Sequence, residues 1–308
     1  MRVLLVTPYN ERCGNVVYSQ NLIEGLLTYD PSVAVTVQPS GDAPVGFDCS
    51  PYDLIHFNYI SCMTLHPDWL GVIPAATCKK VLTLQETYPS GNRSAFTDAF
   101  DAVVVHHKEV VPEASNFRYI PHGILEVSGM PPEPKGLVVG SAGFPQPFKG
   151  LVDICRAVDL IPNAKAYFVM PESRHADALA EAATCRSILG DRFTVVHDWL
   201  SDTEVVWLLR ENATVFVTGH VDWAPGASGC ARLGIASKLP VIVPDLWHFR
   251  DIRDHVYLQD VFDPRALADK IQLAQQERRD CWSQLTSTMG WSVVSKMYYK
   301  VYKEVIGG

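Results

Sequence analysis

Lys149 is the strongest candidate in the sequence for a residue that binds a charged ligand. It lies in the segment GSAGFPQPFKG, residues 140–150, between a short apolar run and a stretch with helical spacing. Glycines let a backbone approach a ligand closely, and an ammonium group suits a phosphate as a point charge. Lys149 is therefore a candidate for phosphate binding. A surface lysine at the start of a helix would show the same pattern.

A second segment with similar chemistry begins at Gly226. The sequence GASGCARLGIASKLPVIVPD, residues 226–245, predicts a loop of small residues, a helix and a buried strand. Ser228 and Gly229 would stand at the beginning of that helix, where N–H groups and the macrodipole favour an anion. The alternative is an ordinary capping serine followed by a glycine that serves packing. A diphosphate bound between Lys149 and this helix would use both segments.

The elements that would position these segments follow the pattern of parallel sheets covered on both faces. Short apolar runs alternate with loops and with helical periodicity. Predicted strands cover residues 2–7, 34–37, 54–57, 80–84 and 102–105, and then 137–139, 166–170, 193–196, 214–217 and 241–243. The sequence therefore predicts an α/β protein with two doubly wound, Rossmann-like domains that face each other across a cleft, where such folds bind ligands.

Composition sets the boundaries of these domains and excludes several classes of protein. Residues 1–124 form the predicted first domain, 125–136 a linker rich in Pro and Gly, 137–280 the second domain, and 281–308 a long amphipathic helix.

A hydrophobic content of 47% excludes disorder over most of the 308 residues. The net charge of −8 does not favour the binding of polyanions. Eight cysteines without a C-x-x-C pair disfavour a zinc site, and we expect a cytoplasmic protein without a membrane span.

Taken in order, the segments resemble the retaining nucleotide-sugar glycosyltransferases of GT-B fold, in particular the large family-four group. The resemblance covers nearly the whole chain and depends on the order and spacing of the motifs. The matching segments are MRVLLVTPYN with Gly14 and Asn15 in a loop behind it, YDLIHFNY (52–59), LTLQETYPSG (82–91), DAVVVHH (101–107), IPHGI (120–124), the two segments above, and WSVVSKMYYKVYKEV (291–305). The last of these resembles a terminal helix that crosses back to the first domain.

The resemblance implies an enzyme that transfers a sugar from a nucleoside-diphosphate sugar to a hydroxyl acceptor such as a glycan, a lipid or a small molecule. The donor-binding residues would be Gly14, Asn15, His122, Gly143, Phe144, Lys149, Trp199, Gly226, Ala227, Ser228, Gly229 and Arg232. The acceptor-side residues would be Asn58, Gln85 and Glu86, and the catalytic residues Glu86, His106 and Lys149. No Asp-x-Asp motif stands near either segment. We therefore expect neither a metal ion nor a cofactor beyond the donor.

Several of these residues also have plain structural interpretations. His106 follows three valines and fits a hydrogen-bonded core histidine, Glu86 fits a solvated loop carboxylate, and Trp199 fits core packing as well as base stacking. The family's Glu-x7-Glu pair is absent, because Pro225 and Leu233 stand at its positions. Phe144 replaces an arginine that clamps phosphate in the family. The remaining candidates for the border of the sugar pocket are His220, Asp222 and Trp223.

Two alternatives remain at the level of sequence. One is a phage-type DNA glycosyltransferase that acts on hydroxymethylated bases, which needs a basic cleft rim. The residues that could supply it are Arg12, Lys79, Lys80, Arg93 and Lys108. The other is a non-catalytic protein that binds a nucleotide sugar and has lost the Glu pair.

Overall fold

The computed structural model describes residues 1–308 apart from 10–11, 43, 45, 60–64, 88–93, 95, 112–115, 134–135, 147–148, 173–177, 220–225 and 260–262. The chain divides into two compact units. Unit 1 comprises Met1–Gly123, Pro225–Ala227 and Trp291–Gly308, and unit 2 comprises Ile124–Ala224 and Ser228–Gly290. The candidates Arg93, His220, Asp222, Trp223 and Pro225 lie outside the described residues.

Unit 1 begins with a parallel sheet. Within the described residues its strands are β1 (Arg2–Thr7), β2 (Ala34–Pro39), β3 (Leu54–Tyr59), β4 (Lys79–Leu84), β5 (Ala102–Val105) and β6 (Phe117–Tyr119). They lie in the order β2-β1-β3-β4-β5-β6. Its first helices are α1 (Gly14–Tyr29) and α2 (Asp68–Ala75). The apolar runs of the inner strands are buried on both faces, as Val103 and Val104 show, which explains their lack of alternation.

Unit 2 has the same architecture. Its described strands are β7 (Val138–Ala142), β8 (Lys165–Val169), β9 (Phe193–Val196), β10 (Val215–Val217), β11 (Val241–Pro244) and β12 (Tyr257–Gln259). Its helices are α3 (Leu151–Asp159), α4 (Ala178–Leu189), α5 (Asp202–Asn212), α6 (Gly229–Ala236), α7 (Pro264–Glu277) and α8 (Ser283–Met289). The last helix of the chain, α9 (Trp291–Gly307), belongs to unit 1. The predicted fold class, α/β with two parallel doubly wound sheets, is confirmed.

The strand order in each sheet identifies where a ligand can bind. In unit 2 the order is β12-β11-β10-β7-β8-β9, so the direction of winding reverses between β7 and β10. In unit 1 it reverses between β1 and β3. The loops that leave two such strands diverge to opposite faces of the sheet and open a crevice at the carboxyl ends of the strands. The segments around Lys149 and Ser228 follow β7 and β10, so they flank the crevice of unit 2.

The structure differs from the sequence-based expectation at three places. Residues 281–308 do not form one helix, because α8 ends at Met289 and α9 begins at Trp291, with Gly290 in an extended conformation between them. Gly14 and Asn15 are the first two residues of α1 and do not form a loop. The strands β6 and β12 were not predicted, since each has three residues and lies at an edge of its sheet.

The segment that follows Gly123 is anchored on unit 2 over its first half. The N–H of Ile124 donates to the carbonyl of Met289 at 2.8 Å. Arg210 donates to the carbonyl of Ser128 at 2.8 Å, and Lys238 donates to that of Gly129 at 2.6 Å. The side chains of Arg210 and Lys238 therefore hold in place a segment whose Pro and Gly content is typical of a linker.

Close packing of α1 against α9 depends on Gly25. A Cβ atom at Gly25 would stand 2.0 Å from Oγ and 2.9 Å from Cβ of Ser295, which is fully buried. The two helices can approach this closely only because residue 25 has no side chain.

We expect Gly25→Ala to destabilise the protein by about 1–3 kcal/mol, because the helices must move apart. Gly71→Ala is the matched control, since Gly71 lies inside α2 with no heavy atom within 4 Å of its would-be Cβ. That variant should be neutral or stabilised by about 0.5–1 kcal/mol. Urea unfolding measures both, and equal stability of the two variants would contradict the packing argument.

Candidate functional site

In unit 2, the ammonium group of Lys149 lies next to the beginning of α6. The chain leaves β7 through Gly143, whose φ of +118° favours glycine. The Nζ atom of Lys149 lies 3.9 Å from Sγ of Cys230, the second residue of α6. Gly143 also packs on that thiol, because a Cβ atom there would stand 2.5 Å from Sγ of Cys230. The two segments predicted to bind an anion are therefore adjacent.

The first turn of α6 has the geometry of an anion site. Oγ of Ser228 caps the helix by accepting from the N–H of Ala231 at 3.2 Å, and Ser228 is itself buried. Gly229 is exposed, and this turn contains no acidic residue. Helix N-termini carry partial positive charge, so an anion near Gly229 would meet both this charge and the ammonium group of Lys149.

The side chain of Arg232 is paired with other protein groups. Its guanidinium is buried, donates to the carbonyl of Ser228 at 3.0 Å and forms a buried ion pair with Asp251. Removing either partner would leave a buried charge without its counter-charge. The sequence-based expectation that Arg232 binds the donor is therefore corrected: its guanidinium bonds with the carbonyl of Ser228, which precedes α6, and with Asp251.

Phe144 and Trp199 form an aromatic pair beside the same crevice. Their rings stack with centroids 5.6 Å apart and an interplanar angle of 21°, and both residues are half-buried. Phe144 follows β7, and Trp199 follows β9. The pair presents a partly exposed aromatic surface on the unit that contains Lys149.

In unit 1 the candidate residues meet at the carboxyl ends of β1, β3 and β4. Asn58 is buried, and its amide donates to the carbonyl of Asn15 at 3.1 Å and to Oγ of Ser19 at 2.7 Å. Its Oδ1 accepts from Nε2 of Gln85 at 2.7 Å. The side chain of Asn58 therefore bonds with protein groups and positions Gln85. Ser19 was not predicted as a site residue, although it lies four residues after Asn15 and therefore on the same face of α1.

The segment Gly226–Ala227 packs on the end of β4. A Cβ atom at Gly226, whose φ is +94°, would stand 2.0 Å from the carbonyl oxygen of Gln85 and 3.4 Å from Cα of Glu86. Glu86 is half-buried. The structure thus brings Gly226, Gln85 and Glu86 together within unit 1.

His106 and His122 belong to an aromatic cluster. His106 is fully buried, and its Nδ1 is hydrogen-bonded to the carbonyl of Ile120 at 2.8 Å. The ring centroids of Tyr18 lie 5.4 Å from His106, 5.0 Å from His122 and 5.0 Å from Trp291. His106 therefore has the surroundings of a core histidine, and the half-buried His122 is the more accessible of the two.

A chain of buried hydrogen bonds runs under this part of unit 1. It joins Tyr302 to His56 at 2.6 Å, His56 to Thr83 at 2.7 Å, Thr83 to Tyr298 at 2.8 Å, and Tyr298 to Tyr18 at 2.8 Å. A further hydrogen bond joins Tyr18 to Gln85. The tyrosines of α9 are thereby connected to the side chains at the carboxyl ends of β3 and β4.

The buried position of His56 in this series of hydrogen bonds predicts that the stability of the protein depends on pH. Burial lowers the pKa of His56 from 6.5 to about 3. Below pH 6.5 the unfolded chain binds a proton that the folded protein excludes down to about pH 3, so stability falls with falling pH, by up to ~1.4 kcal/mol per unit. We expect the free energy of unfolding of His56→Gln, measured with urea, to fall less steeply from pH 7 to pH 4 than that of the unchanged protein. Equal slopes for the two proteins would contradict a neutral, buried His56.

A second prediction concerns Gly143. Gly143→Ala should destabilise unit 2 by about 1–3 kcal/mol because of its φ and of the contact with Cys230. Gly136→Ala is the matched control, with a φ of +134° and open space at its Cβ position. The double variant Gly143→Ala, Cys230→Ala should recover part of the loss in thermal unfolding. No recovery would show that the thiol does not constrain residue 143.

Two of the lysines proposed for a basic rim lie elsewhere. Lys79 and Lys80 begin β4, at the edge of the sheet opposite its carboxyl ends. Lys79 is paired with Asp101 at 3.3 Å, and Nζ of Lys80 donates to the carbonyl of Ala76 at 3.0 Å. They therefore do not border the crevice of unit 1, which corrects their assignment to a rim.

The described residues contain neither a cluster of metal-binding side chains nor a membrane-spanning helix. Within these ranges no group of three or more His, Cys, Asp or Glu residues is arranged to hold a metal ion. In the same part of the chain, no helix has the length and apolar character required to cross a membrane.

The arrangement of sheets and helices can be compared with solved structures. Sucrose-phosphate synthase from Thermosynechococcus elongatus matches with a TM-score of 0.76 at 16% identity, over 100% of this chain and 99% of that one. HepE from Anabaena, solved with UDP and glucose, matches with a TM-score of 0.73 at 13% identity, over 99% and 100%. The chain has the GT-B fold.

A glycosyltransferase from Rickettsia africae also has this fold, with a TM-score of 0.70 at 12% identity over 99% and 98% of the two chains. No protein-family model matches the sequence, and no curated protein matches it either. The GT-B similarity is therefore a likeness of structure at low sequence identity.

Proposed function

We propose that the protein is a glycosyltransferase that moves a sugar, with retention of configuration, from a nucleoside-diphosphate sugar to a hydroxyl acceptor. The observation that carries the proposal is the position of Lys149 beside the beginning of α6, at the switch point of unit 2. The GT-B fold supports it, and the structural neighbours include sucrose-phosphate synthase and a HepE complex with UDP and glucose. A uridine nucleotide is accordingly the donor we favour.

The donor diphosphate would lie between Lys149 and the first turn of α6. Breaking the bond between the sugar and the diphosphate leaves negative charge on the phosphate oxygens, and fixed positive groups aimed at that charge lower the barrier. Lys149 supplies a full charge, and Ser228, Gly229 and Cys230 supply the N-terminal end of the helix. These groups are the basis for proposing a transfer that needs no metal ion.

The nucleoside would extend toward the aromatic pair. A pyrimidine ring can stack on the half-buried face of Trp199, which Phe144 already holds in a fixed orientation. Phe144 thus contributes to the donor site through packing, in place of the charge that an arginine would bring.

The acceptor would bind at the carboxyl ends of the unit 1 strands. Asn58 positions Gln85 there, and Gly226 packs against Gln85 and Glu86. In a retaining transfer the acceptor hydroxyl approaches the face from which the diphosphate leaves, so a phosphate oxygen can take its proton. Glu86 would orient that hydroxyl, and the buried His106 would support the surrounding structure.

The test compares Lys149→Ala with Lys165→Ala, a change of an exposed lysine at the start of β8 in the same unit. We expect Lys149→Ala to weaken UDP binding by about 10–100-fold in calorimetry, which is the loss of one charge-assisted contact. Lys165→Ala should bind UDP as the unchanged protein does. Equal affinities of the two variants would place the diphosphate elsewhere.

Turnover separates the enzyme from a protein that only binds the donor. The unchanged protein alone should release UDP slowly from UDP-sugars by hydrolysis, and much faster by sugar transfer when a suitable acceptor is present. Both reactions should be lost in Lys149→Ala. Proton NMR of the anomeric centre then reports retention. Tight binding of UDP without any hydrolysis would favour the non-catalytic alternative.

A further inference from the structure

Two cysteines of unit 1 lie together at the amino-terminal edge of its sheet. Cys49 stands in the turn that precedes β3, and Cys78 directly precedes β4. These strands pair in parallel with Leu54 opposite Lys79, so the segments that enter them are neighbours. The thiol of Cys78 is hydrogen-bonded to the sulfur of Cys49, and both residues are free and partly exposed.

The sulfur of Cys49 is surrounded by hydrogen-bond donors. Oγ1 of the exposed Thr77 lies 3.4 Å from it, and the backbone N–H of Cys78 and the thiol of Cys78 also bond to it. These donors favour the thiolate, and the Thr77 hydroxyl is the main cause that lowers the pKa of Cys49 to about 7. A large fraction of Cys49 is therefore ionised near neutral pH, and the thiolate is the reactive form.

Cys78 has the opposite character. Its burial, together with its hydrogen bond to Cys49, raises the pKa of the thiol to about 12. Cys78 thus stays protonated and donates to the sulfur of Cys49. A partly exposed thiolate with a protonated thiol in contact is the arrangement in which one cysteine is modified first and the other displaces the adduct.

We propose that Cys49 is a modification site for low-molecular-weight disulfides and that Cys78 resolves the adduct into a Cys49–Cys78 disulfide. In the first step the Cys49 thiolate attacks one sulfur of the small disulfide, forms a mixed disulfide and releases one small thiolate. In the second step Cys78 attacks the sulfur of Cys49, the bond between that sulfur and the small thiol breaks, and the proton of Cys78 goes to the departing small thiolate. The two cysteines lose two electrons and two protons, and the small disulfide becomes two thiols.

A second pair of neighbouring cysteines shows why exposure matters. Cys155 and Cys185 are fully buried in the core of unit 2, where they are hydrogen-bonded to each other. The hydrogen bond with Cys185 and burial raise the pKa of Cys155 well above its usual range. Both thiols are shielded from solvent, so this pair serves as the internal control that should not react.

The experiment uses oxidised glutathione on the intact protein at pH 7. After alkylation of free thiols and digestion with chymotrypsin, which can cleave between the two cysteines at residues such as Tyr52, mass spectrometry identifies linked peptides. We expect a Cys49–Cys78 linkage in the unchanged protein and a stable glutathione adduct on Cys49 in Cys78→Ser. Cys155 and Cys185 should remain alkylatable only after unfolding. Absence of the adduct in Cys78→Ser would overturn the proposal.

Thr77→Val provides a variant that retains both thiols. It removes the hydroxyl at Cys49, so we expect the rate of alkylation of Cys49 by iodoacetamide to fall several-fold at pH 7 and to recover at pH 9. Cys13, which is half-buried at the start of α1, serves as the reference thiol in the same digest. A Cys49 rate that equals that of Cys13 at pH 7 and is insensitive to Thr77→Val would also overturn the proposal. Neither measurement depends on sugar transfer.

Discussion

The buried hydrogen bonds that connect α9 to the sheet of unit 1 are the constraint on which the arrangement at its carboxyl edge depends. Tyr302, His56, Thr83, Tyr298 and Tyr18 follow one another without a gap. All five are fully or almost fully buried, so a broken link would leave a polar group without water to replace its partner. The cost of such a defect fixes α1 and α9 on the sheet in one relative position.

Unit 1 and unit 2 use the same winding for different chemistry. At the reversal point of unit 1, neutral amide groups meet, since Asn58 bonds with Asn15 and Gln85. At that of unit 2, an ammonium group stands beside the positive end of a helix. Neutral donors and acceptors suit a hydroxyl compound, and positive charge suits a phosphate. This contrast is the basis for proposing that unit 1 binds the acceptor and that unit 2 binds the donor.

The sequence predicted most of the sheet framework because buried parallel strands are continuous apolar runs. Residues 2–7, 102–105 and 193–196 were predicted with the limits that the structure shows. The edge strands β6 and β12 carry too few residues to give such a signal. The helix break at Gly290 was missed because the apolar spacing continues from α8 into α9. Gly14 was assigned to a loop, since a glycine at a helix start looks the same in sequence.

The side-chain partners were much harder to predict than the elements. The spacing of Tyr298 and Tyr302 indicates only that they share a face of α9, and nothing local shows that His56 and Thr83 meet them. Arg232 has no sequence signal for its pairing with Asp251, which lies 19 residues further along the chain. Lys149 beside α6 could be anticipated, because the loops after β7 and β10 must flank one crevice.

The return of α9 to unit 1 also has a consequence for biosynthesis. Residue 290, the last residue of unit 2, precedes Tyr298 and Tyr302 in the chain, so unit 2 is synthesised in full before the buried hydrogen bonds of unit 1 can form. The amino-terminal unit therefore finishes folding after the carboxyl-terminal one, in the reverse of the usual vectorial order. Until Tyr298 and Tyr302 have been synthesised, the buried polar groups of Thr83 and His56 lack their tyrosine partners.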